Sequence, residues 1–286
     1  MNEAQDIIIR LKAIMELSRK ESDLKLEKSE KMTLSAASEC PLGLCDGSGV
    51  IYDALGLNAK PCECVKLLNK QNRLKFAAVP EEFKELKVGE FDTEIYSSDD
   101  DKSAARSAKK WAIEYVKRFD MFRTDGKGLY FYSSGKGSGK TRIMISVGNA
   151  LINMYGVSVR FITANDLLDN IRFSFNKSKE ESEKDTYEAL MRDFKAIDVL
   201  LLDDVGAERP SDWVNEVFYS ILNDRMTHKK PTLFTSNYPL ESLPYNGRIT
   251  DRIFKMAVPV KMPEESVRAK KAEEENEKYL KMIMEG

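Results

Sequence analysis

A glycine-rich stretch between an apolar run and a helical pattern constrains this chain more than any other feature. The stretch Gly128–Thr141 reads Gly-Leu-Tyr-Phe-Tyr-Ser-Ser-Gly-Lys-Gly-Ser-Gly-Lys-Thr. Its aromatic part, residues 129–132, is apolar and bounded by small residues, which predicts a short buried strand. Apolar residues at helical spacing follow over residues 143–151. The sequence therefore predicts a strand, a glycine loop and a helix in direct succession.

Strand, glycine loop and helix with Lys-Thr at the joint form a phosphate-binding loop. Glycines let several backbone N–H groups point at one oxyanion, and the helix N-terminus adds a partial positive charge. Lys140 is predicted to reach the β- and γ-phosphates, and Thr141 to supply a hydroxyl to Mg²⁺. Ser134 stands where the usual pattern has glycine, and it is small enough for the turn. The residues predicted to bind nucleotide are Ser134, Gly135, Lys136, Gly137, Ser138, Gly139, Lys140, Thr141, Arg142 and Asp203.

Two aspartates follow a second apolar strand, Val199–Leu202. The carboxyl end of a strand in a parallel sheet faces the ligand crevice. We expect Asp203 to hold Mg²⁺ through its water shell and Asp204 to polarise the attacking water. An acidic turn after a buried strand is common by itself, but here it follows a phosphate loop.

Four further polar side chains are candidates for the same site. Asn237 ends another buried strand, where a polar residue would orient the attacking water. Arg248 and Arg252 are four residues apart and share one helix face. An arginine on that face either reaches a neighbouring subunit's γ-phosphate or forms a surface salt bridge. Arg268 follows the predicted strand Ala257–Met262 and could reach the phosphates of its own subunit.

All four cysteines lie between residues 40 and 64. The N-terminus is charged from Glu3 and shows no signal peptide, so the clustering favours a metal site over disulfides. Four thiolates can complete a tetrahedral Zn²⁺ shell. The spacing is C-x4-C followed by C-x-C, which departs from paired C-x2-C, so four reduced thiols without metal remain the alternative. The predicted zinc ligands are Cys40, Cys45, Cys62 and Cys64.

Helices are predicted over about residues 103–119, 185–195 and 211–226, and a strand over 158–163. Because strands alternate with helices, as in a parallel sheet covered on both faces, the order of elements predicts an α/β fold. We divide the chain into an N-terminal module (1–75), a linker (76–103), a nucleotide-binding domain (104–270) and a C-terminal helical tail (271–286). Residues 3–31 predict an amphipathic helix that either packs on its own module or binds a partner. The segment 65–75 predicts a basic helix, either solvated or in contact with nucleic acid or an acidic partner. The aromatics Phe83 and Phe91 are expected to dock on the following domain.

The bulk composition limits the partners. The net charge of −2 gives no global basic field, so any nucleic-acid contact must come from a local patch. No apolar run approaches the roughly 18 residues of a membrane span. We therefore expect no membrane partner and a cytoplasmic location.

The motifs taken together resemble a known family. They are Ser134–Thr141, Leu200–Gly206, Lys230–Asn237, Arg248–Ile253 and Ser266–Arg268. This set is similar to the AAA+ helicase loaders of bacteria and phages, the DnaC/DnaI type, over about residues 104–270. The resemblance implies an AAA+ P-loop sheet flanked by helices, preceded by a small helical zinc-binding domain. It implies that Asn237 is sensor I, Arg252 the arginine finger and Arg268 sensor II, which with Asp204 complete the catalytic set.

The resemblance also implies a function. It predicts an ATPase that uses ATP/ADP, Mg²⁺ and Zn²⁺, self-associates through its AAA+ domain, and delivers a DnaB-type hexameric replicative helicase to single-stranded DNA. Asp204 stands where AAA+ proteins usually have Glu, so we expect slow turnover. Phe175 and Trp213 fall near where loaders present aromatics, and stacking on DNA bases would suit them, although both also suit a core.

Two rival functions remain open at this stage. A transposition helper ATPase of the IstB kind shares the AAA+ core and acts on a transposase, but the cysteine module favours a loader. A small-molecule kinase would need an acceptor pocket and an arginine-rich lid, and the sequence shows neither.

Overall fold

A computed structural model describes residues 40–52, 59–65, 67–68, 77–176 and 181–284. The predicted helix over residues 3–31 lies outside the described residues, and so does most of the basic segment 65–75. The chain divides into two compact units, Met1–Asn69 and Lys70–Gly286, and each is described by itself.

The first unit contains an antiparallel pair of short strands, β1 (Val50–Tyr52) and β2 (Ala59–Pro61). One cysteine pair precedes β1 and the other follows β2, so the hairpin brings the two pairs to the same end. Gly49 has a φ of 78°, and a Cβ there would lie 2.5 Å from a methyl group of Val65. Glycine is therefore required at the entry to β1.

The second unit is built on a parallel sheet. Within the described residues its five strands are β3 (Gly128–Tyr132), β4 (Val159–Thr163), β5 (Val199–Asp203), β6 (Thr232–Ser236) and β7 (Ala257–Lys261). Their order across the sheet is β4–β5–β6–β3–β7, and every neighbouring pair is parallel. All carboxyl ends therefore meet at one edge, with the loop after β3 near its middle.

Helices connect these strands. They are α1 (Asp99–Lys117), α2 (Phe119–Asp125), α3 (Lys140–Tyr155), α4 (Ala164–Asn176), α5 (Glu181–Ala196), α6 (Asp212–Thr227), α7 (Gly247–Met256) and α8 (Val267–Met284). Short 3-10 turns occur at Glu81–Phe83, Val88–Glu90 and Leu240–Ser242. None of the helices in the described ranges combines the length and apolarity that a membrane span requires.

Two buried clusters cover the two faces of the sheet. Leu129 and Phe131 pack in the cluster that contains the apolar side chains of α1 and α3. Tyr130, between them in sequence, packs in the cluster formed with α4, α5, α6 and α7. This alternation follows because successive side chains of a strand point to opposite faces. The α/β fold predicted from the sequence is confirmed.

The segment before α1 packs on the first of these clusters. Phe91 and Tyr96 are buried in it, and Phe83 is partly buried against it, so the predicted docking of Phe83 and Phe91 is confirmed. Helix α1 begins at Asp99, earlier than the predicted start near residue 103. The reason is local, because Ser98 accepts a hydrogen bond from the Asp101 N–H and the acidic residues suit a helix N-terminus.

Candidate nucleotide-binding site

The loop between β3 and α3 has the backbone that a phosphate-binding loop needs. Gly137 and Gly139 have φ values of 79° and 95°, a region that favours glycine. Gly135 is restricted by space, since a Cβ there would lie 1.9 Å from the carbonyl oxygen of Glu264. Helix α3 begins directly after Gly139, so its N-terminal N–H groups stand at the loop. This arrangement can bind an oxyanion.

Lys140 lies across this loop. Its side chain is 6% exposed, and its Nζ donates to the carbonyl oxygens of Gly135 at 2.8 Å and Ser133 at 3.1 Å. Burial lowers the pKa of Lys140, while the charges of Asp204, Glu264 and Asp203 act in the opposite direction. The ammonium is thus placed among backbone dipoles where a polyphosphate would be an additional anionic partner.

Asp203 joins the loop to the end of β5. The Thr141 hydroxyl donates to its Oδ1 at 2.9 Å, and the Thr235 hydroxyl on β6 also donates to this carboxylate. The side chain is buried, and burial raises the pKa of Asp203 above its ordinary value. Hydroxyl and carboxylate oxygens at this place are suited to Mg²⁺, which prefers such ligands and keeps several waters.

Thr235 was not selected from the sequence. The available signal was a pair of adjacent hydroxyl residues, Thr235 and Ser236, at the carboxyl end of the strand that neighbours β5 in the sheet.

Asp204 has a backbone that few non-glycine residues adopt. Its φ is 54°, and its side chain is exposed at the edge of the sheet. Two hydrogen bonds to β6 hold this turn: the Asp204 N–H donates to the Thr235 hydroxyl at 2.9 Å, and the Val205 N–H donates to the Thr235 carbonyl at 2.8 Å. Such strain typically costs about 1–3 kcal/mol and is concentrated at functional sites.

Asn237 directly follows β6 and is half-buried. Because β6 lies between β5 and β3, Asn237 leaves the sheet between the Asp203–Asp204 turn and the phosphate loop. The structure therefore brings Asn237 to the same edge as Lys140 and Asp203.

The start of α8 lies against the phosphate loop. The Val267 N–H donates to the Gly137 carbonyl at 3.1 Å, and a Cβ on Gly137 would lie 3.0 Å from the Cβ of Arg268. Glu264, which sequence reasoning missed, accepts from the Gly135 N–H at 2.9 Å and from the Ser134 hydroxyl at 2.6 Å. The structure therefore places Arg268 beside the loop, as expected for a residue that reaches phosphates of its own subunit.

Arg252 lies on α6. Its Nε and Nη2 donate to Asn223 Oδ1 at 3.1 and 2.9 Å, and Nη2 also donates to the Tyr219 hydroxyl at 3.0 Å. Its guanidinium carbon lies 4.1 Å from the centre of the Tyr219 ring. Within the described part of the chain, its hydrogen-bond partners belong to α6 and α7. Arg252 is thus grouped with these helices and not with the phosphate loop.

The two aromatic residues predicted to contact DNA are in different helices. Phe175 lies in the last turn of α4, and its side chain falls outside the described ones. Trp213 is half-buried on α6, where it packs against the core. The guanidinium carbon of Arg172 lies 4.9 Å from the Trp213 ring centre and covers one face of the ring.

The four cysteines form a compact group in the first unit. Their Sγ atoms all lie within 4.8 Å of one another, with Cys40 and Cys62 at 3.9 Å and Cys45 and Cys64 at 3.5 Å. A tetrahedral Zn²⁺ shell with Zn–S bonds of about 2.3 Å separates its sulfurs by about 3.8 Å. The cluster therefore fits zinc in both donor type and spacing.

Comparison with known proteins agrees with this geometry. The family of IstB-like ATP binding proteins matches residues 86–275. The chain belongs to this family. The match includes the phosphate loop, the Asp203–Asp204 turn, helix α7 and the start of α8.

Curated relatives of this chain include helicase loaders. The replicative helicase loader DnaI of Bacillus subtilis is 30% identical over 160 residues, which are 50% of this chain and 48% of the relative. The replicative helicase loader DnaC of Escherichia coli is 28% identical over 145 residues, which are 50% of this chain and 55% of the relative. The chain spans about half the length of the relatives it matches. The resemblance to DnaC/DnaI-type loaders is confirmed at the level of the family.

A solved structure confirms the AAA+ P-loop fold. The crystal structure of a DnaI superposes with a TM-score of 0.51 and 27% sequence identity, and covers 64% of this chain and 94% of the solved chain.

Proposed function

We propose that this IstB-family protein is an ATP-dependent loader of a replicative helicase. The observation that carries the proposal is the hydrogen-bonded group at the sheet edge, where Thr141, Asp203 and Thr235 meet beside the phosphate loop. That group supports nucleotide binding. The loader role is supported by the similarity to DnaI and DnaC.

In the proposed reaction, different residues of this chain have different roles. The N–H groups of the glycine loop and Lys140 bind the phosphates. Thr141 and Asp203 would hold Mg²⁺, which supplies positive charge to the phosphate oxygens. Asp204 accepts a proton from the attacking water, which Asn237 orients. We expect slow turnover, because the Asp204 carboxylate is one methylene shorter than the usual Glu.

Two arginines would stabilise the charge that develops on the γ-phosphoryl group. Arg268 acts within its own subunit, which is supported by its position beside Gly137. Arg252 acts on a neighbouring subunit, which is supported by its grouping with α6 and α7. Hydrolysis would then depend on self-association through the AAA+ domain.

The N-terminal module and two aromatic residues would bind the partners of this protein. The zinc site of Cys40, Cys45, Cys62 and Cys64 stabilises the N-terminal module, residues 1–75, which binds a hexameric replicative helicase of the DnaB type. Phe175 and Trp213 would contact single-stranded DNA. We propose a cytoplasmic location, because this is where a replicative helicase acts in a bacterial cell.

A loading assay tests this function directly. A ring-shaped helicase cannot thread onto a closed single-stranded circle, so unwinding of an oligonucleotide annealed to the circle reports loading. We expect the protein to co-purify with the replicative helicase and to stimulate unwinding only with ATP. Lys140→Ala is the matched control and should give no stimulation. Binding to a transposase and not to a helicase would replace the loader proposal with the IstB-type helper.

A further inference from the structure

A half-buried tyrosine, Tyr245, and a buried glutamate, Glu208, adjoin the turn after β5. The Tyr245 hydroxyl donates to Glu208 Oε1 and accepts from the Gly206 N–H at 2.9 Å. Glu208 is 7% exposed, and its Oε2 is buried with no hydrogen-bond partner among the described residues. A buried carboxylate with one unpaired oxygen is unfavourable, so its retention in the fold calls for a reason.

The turn Asp204–Gly206 is held from two sides. From β6, Thr235 binds the N–H groups of Asp204 and Val205, and the Ser236 hydroxyl donates to the Val205 carbonyl at 2.6 Å. From the loop before α7, Tyr245 binds the Gly206 N–H. The φ of Asp204 is 54°, and a residue without glycine's freedom keeps such a backbone only when its surroundings hold it there.

The glutamate determines how the tyrosine hydroxyl is used. A phenol hydroxyl has one proton to donate and lone pairs that accept. Because the Tyr245 hydroxyl donates its hydrogen bond to Glu208, its lone pairs are directed at the Gly206 N–H. Without Glu208 the hydroxyl would be free to rotate, and the Gly206 N–H would lose a fixed acceptor.

We propose that Tyr245 and Glu208 are positioning residues, which hold the Asp204–Gly206 turn so that the Asp204 carboxylate faces the attacking water. The inference rests on the role proposed for Asp204. In this proposal Tyr245 acts through the Gly206 N–H, and Glu208 acts through the Tyr245 hydroxyl.

The position of Tyr245 also depends on α6 and α7. Its ring packs on Phe218 of α6 with ring centres 5.3 Å apart. The next residue, Asn246, caps α7 by accepting from the Ile249 N–H at 3.2 Å. Helix α7 carries Arg252, the arginine proposed to contact a second subunit. A shift of α7 would therefore move the tyrosine that holds the Asp204 turn.

The test removes the hydroxyl and keeps the ring. Tyr245→Phe is expected to leave nucleotide affinity within about twofold of the wild type and to lower kcat at least about tenfold. Amide hydrogen exchange at Val205 and Gly206 should become faster, because the turn is released on one side. Glu208→Gln keeps an accepting oxygen and should retain most of the turnover. Glu208→Leu removes the acceptor and should behave like Tyr245→Phe.

Tyr115→Phe is the matched control. The Tyr115 hydroxyl is also buried and donates to the Lys127 carbonyl at 3.0 Å, at the amino end of β3. It should change neither kcat nor exchange in the turn. Wild-type kcat and exchange in Tyr245→Phe would overturn the inference, as would equal losses in Tyr245→Phe and Tyr115→Phe. If the wild type hydrolyses no ATP, the proposed function fails, and the exchange measurement still decides whether Tyr245 holds the turn.

Discussion

At the residue scale, Lys140 and Asp203 lie at the carboxyl edge of the sheet, where burial disfavours the charged form of each side chain. Burial lowers the pKa of Lys140 and raises the pKa of Asp203, so each group is shifted toward its neutral form. Titratable groups perturbed in this way are concentrated at functional sites. A polyphosphate and a divalent cation would each supply the opposite charge. Asp204 differs because its side chain is exposed.

Variants of Lys140 and Asp204 should separate ATP binding from ATP hydrolysis. Lys140→Ala is expected to weaken ATP binding about 100-fold or more, because it removes the main charge facing the β- and γ-phosphates. Asp204→Asn should keep ATP bound and lower kcat about 100-fold or more, since an amide cannot accept the proton. Fluorescent-nucleotide titration and steady-state kcat measure the two effects. Lys110→Ala, on the exposed side of α1, is the control. Equal loss of binding in both site variants would contradict the assigned roles.

Substitution of Arg252 tests whether this arginine acts on the nucleotide of a neighbouring subunit. Arg252→Ala should leave the nucleotide affinity of a dilute monomer nearly unchanged and lower the concentration-dependent ATPase activity at least about tenfold. Mixing it with Lys140→Ala creates a junction with an intact loop and an intact arginine, so activity should partly return. Arg248→Ala is the comparison variant, because Arg248 is a second arginine one turn earlier on α7. If the mixed variants co-assemble without recovery, Arg252 serves only to join α7 to α6.

At the scale of elements, one fully buried arginine joins α5, α6 and β6. The Arg225 guanidinium donates to the carbonyl oxygens of Phe194 and Ile197 at 2.9 Å, of Pro231 at 2.7 Å, and to the Thr232 hydroxyl at 2.9 Å. It therefore satisfies carbonyl groups at the end of α5, where a helix leaves acceptors without partners. The strand that carries Thr235 and leads to Asn237 begins at this junction.

Removing Arg225 should destabilise the second unit strongly. Arg225→Met keeps apolar volume but leaves several buried carbonyl groups without a donor, which we expect to cost about 3 kcal/mol or more of unfolding free energy. Arg118→Met is the control, since Arg118 forms an exposed ion pair with Glu114 and should change stability by at most about 1 kcal/mol. Urea unfolding followed by circular dichroism measures both variants. Similar midpoints would contradict the role of Arg225.

For the whole molecule, the division into two units predicts separable losses. If the four cysteines share one ion, elemental analysis should find about one zinc per chain. Cys62→Ser, or a strong chelator, should unfold the N-terminal unit and leave ATP affinity within about twofold, because binding of a structural metal supplies folding free energy. Lys60→Ser, at an exposed position on β2, is the control. Metal-free protein whose N-terminal unit resists proteolysis as the wild type does would exclude the site.

Much of the second unit could be predicted from local pattern. The helix predicted over residues 211–226 is α6, Asp212–Thr227, and the strand predicted over 158–163 is β4, Val159–Thr163. The start of α1 was missed, because the acidic residues that cap it resemble a linker. Helix α5 begins at Glu181 and not at the predicted residue 185, since its first four residues are all polar and give no apolar spacing to mark a helix.

The sequence by itself determined the elements and the identity of the phosphate loop, because apolar spacing and glycine placement act between residues close in the chain. Tertiary structure alone decided the partners of that loop. Glu264 meets the Gly135 N–H across 129 residues, and Tyr245 meets Glu208 across 37. Such pairings depend on how distant segments pack and on strand register. A polar side chain carries no local signal of which backbone group it will meet.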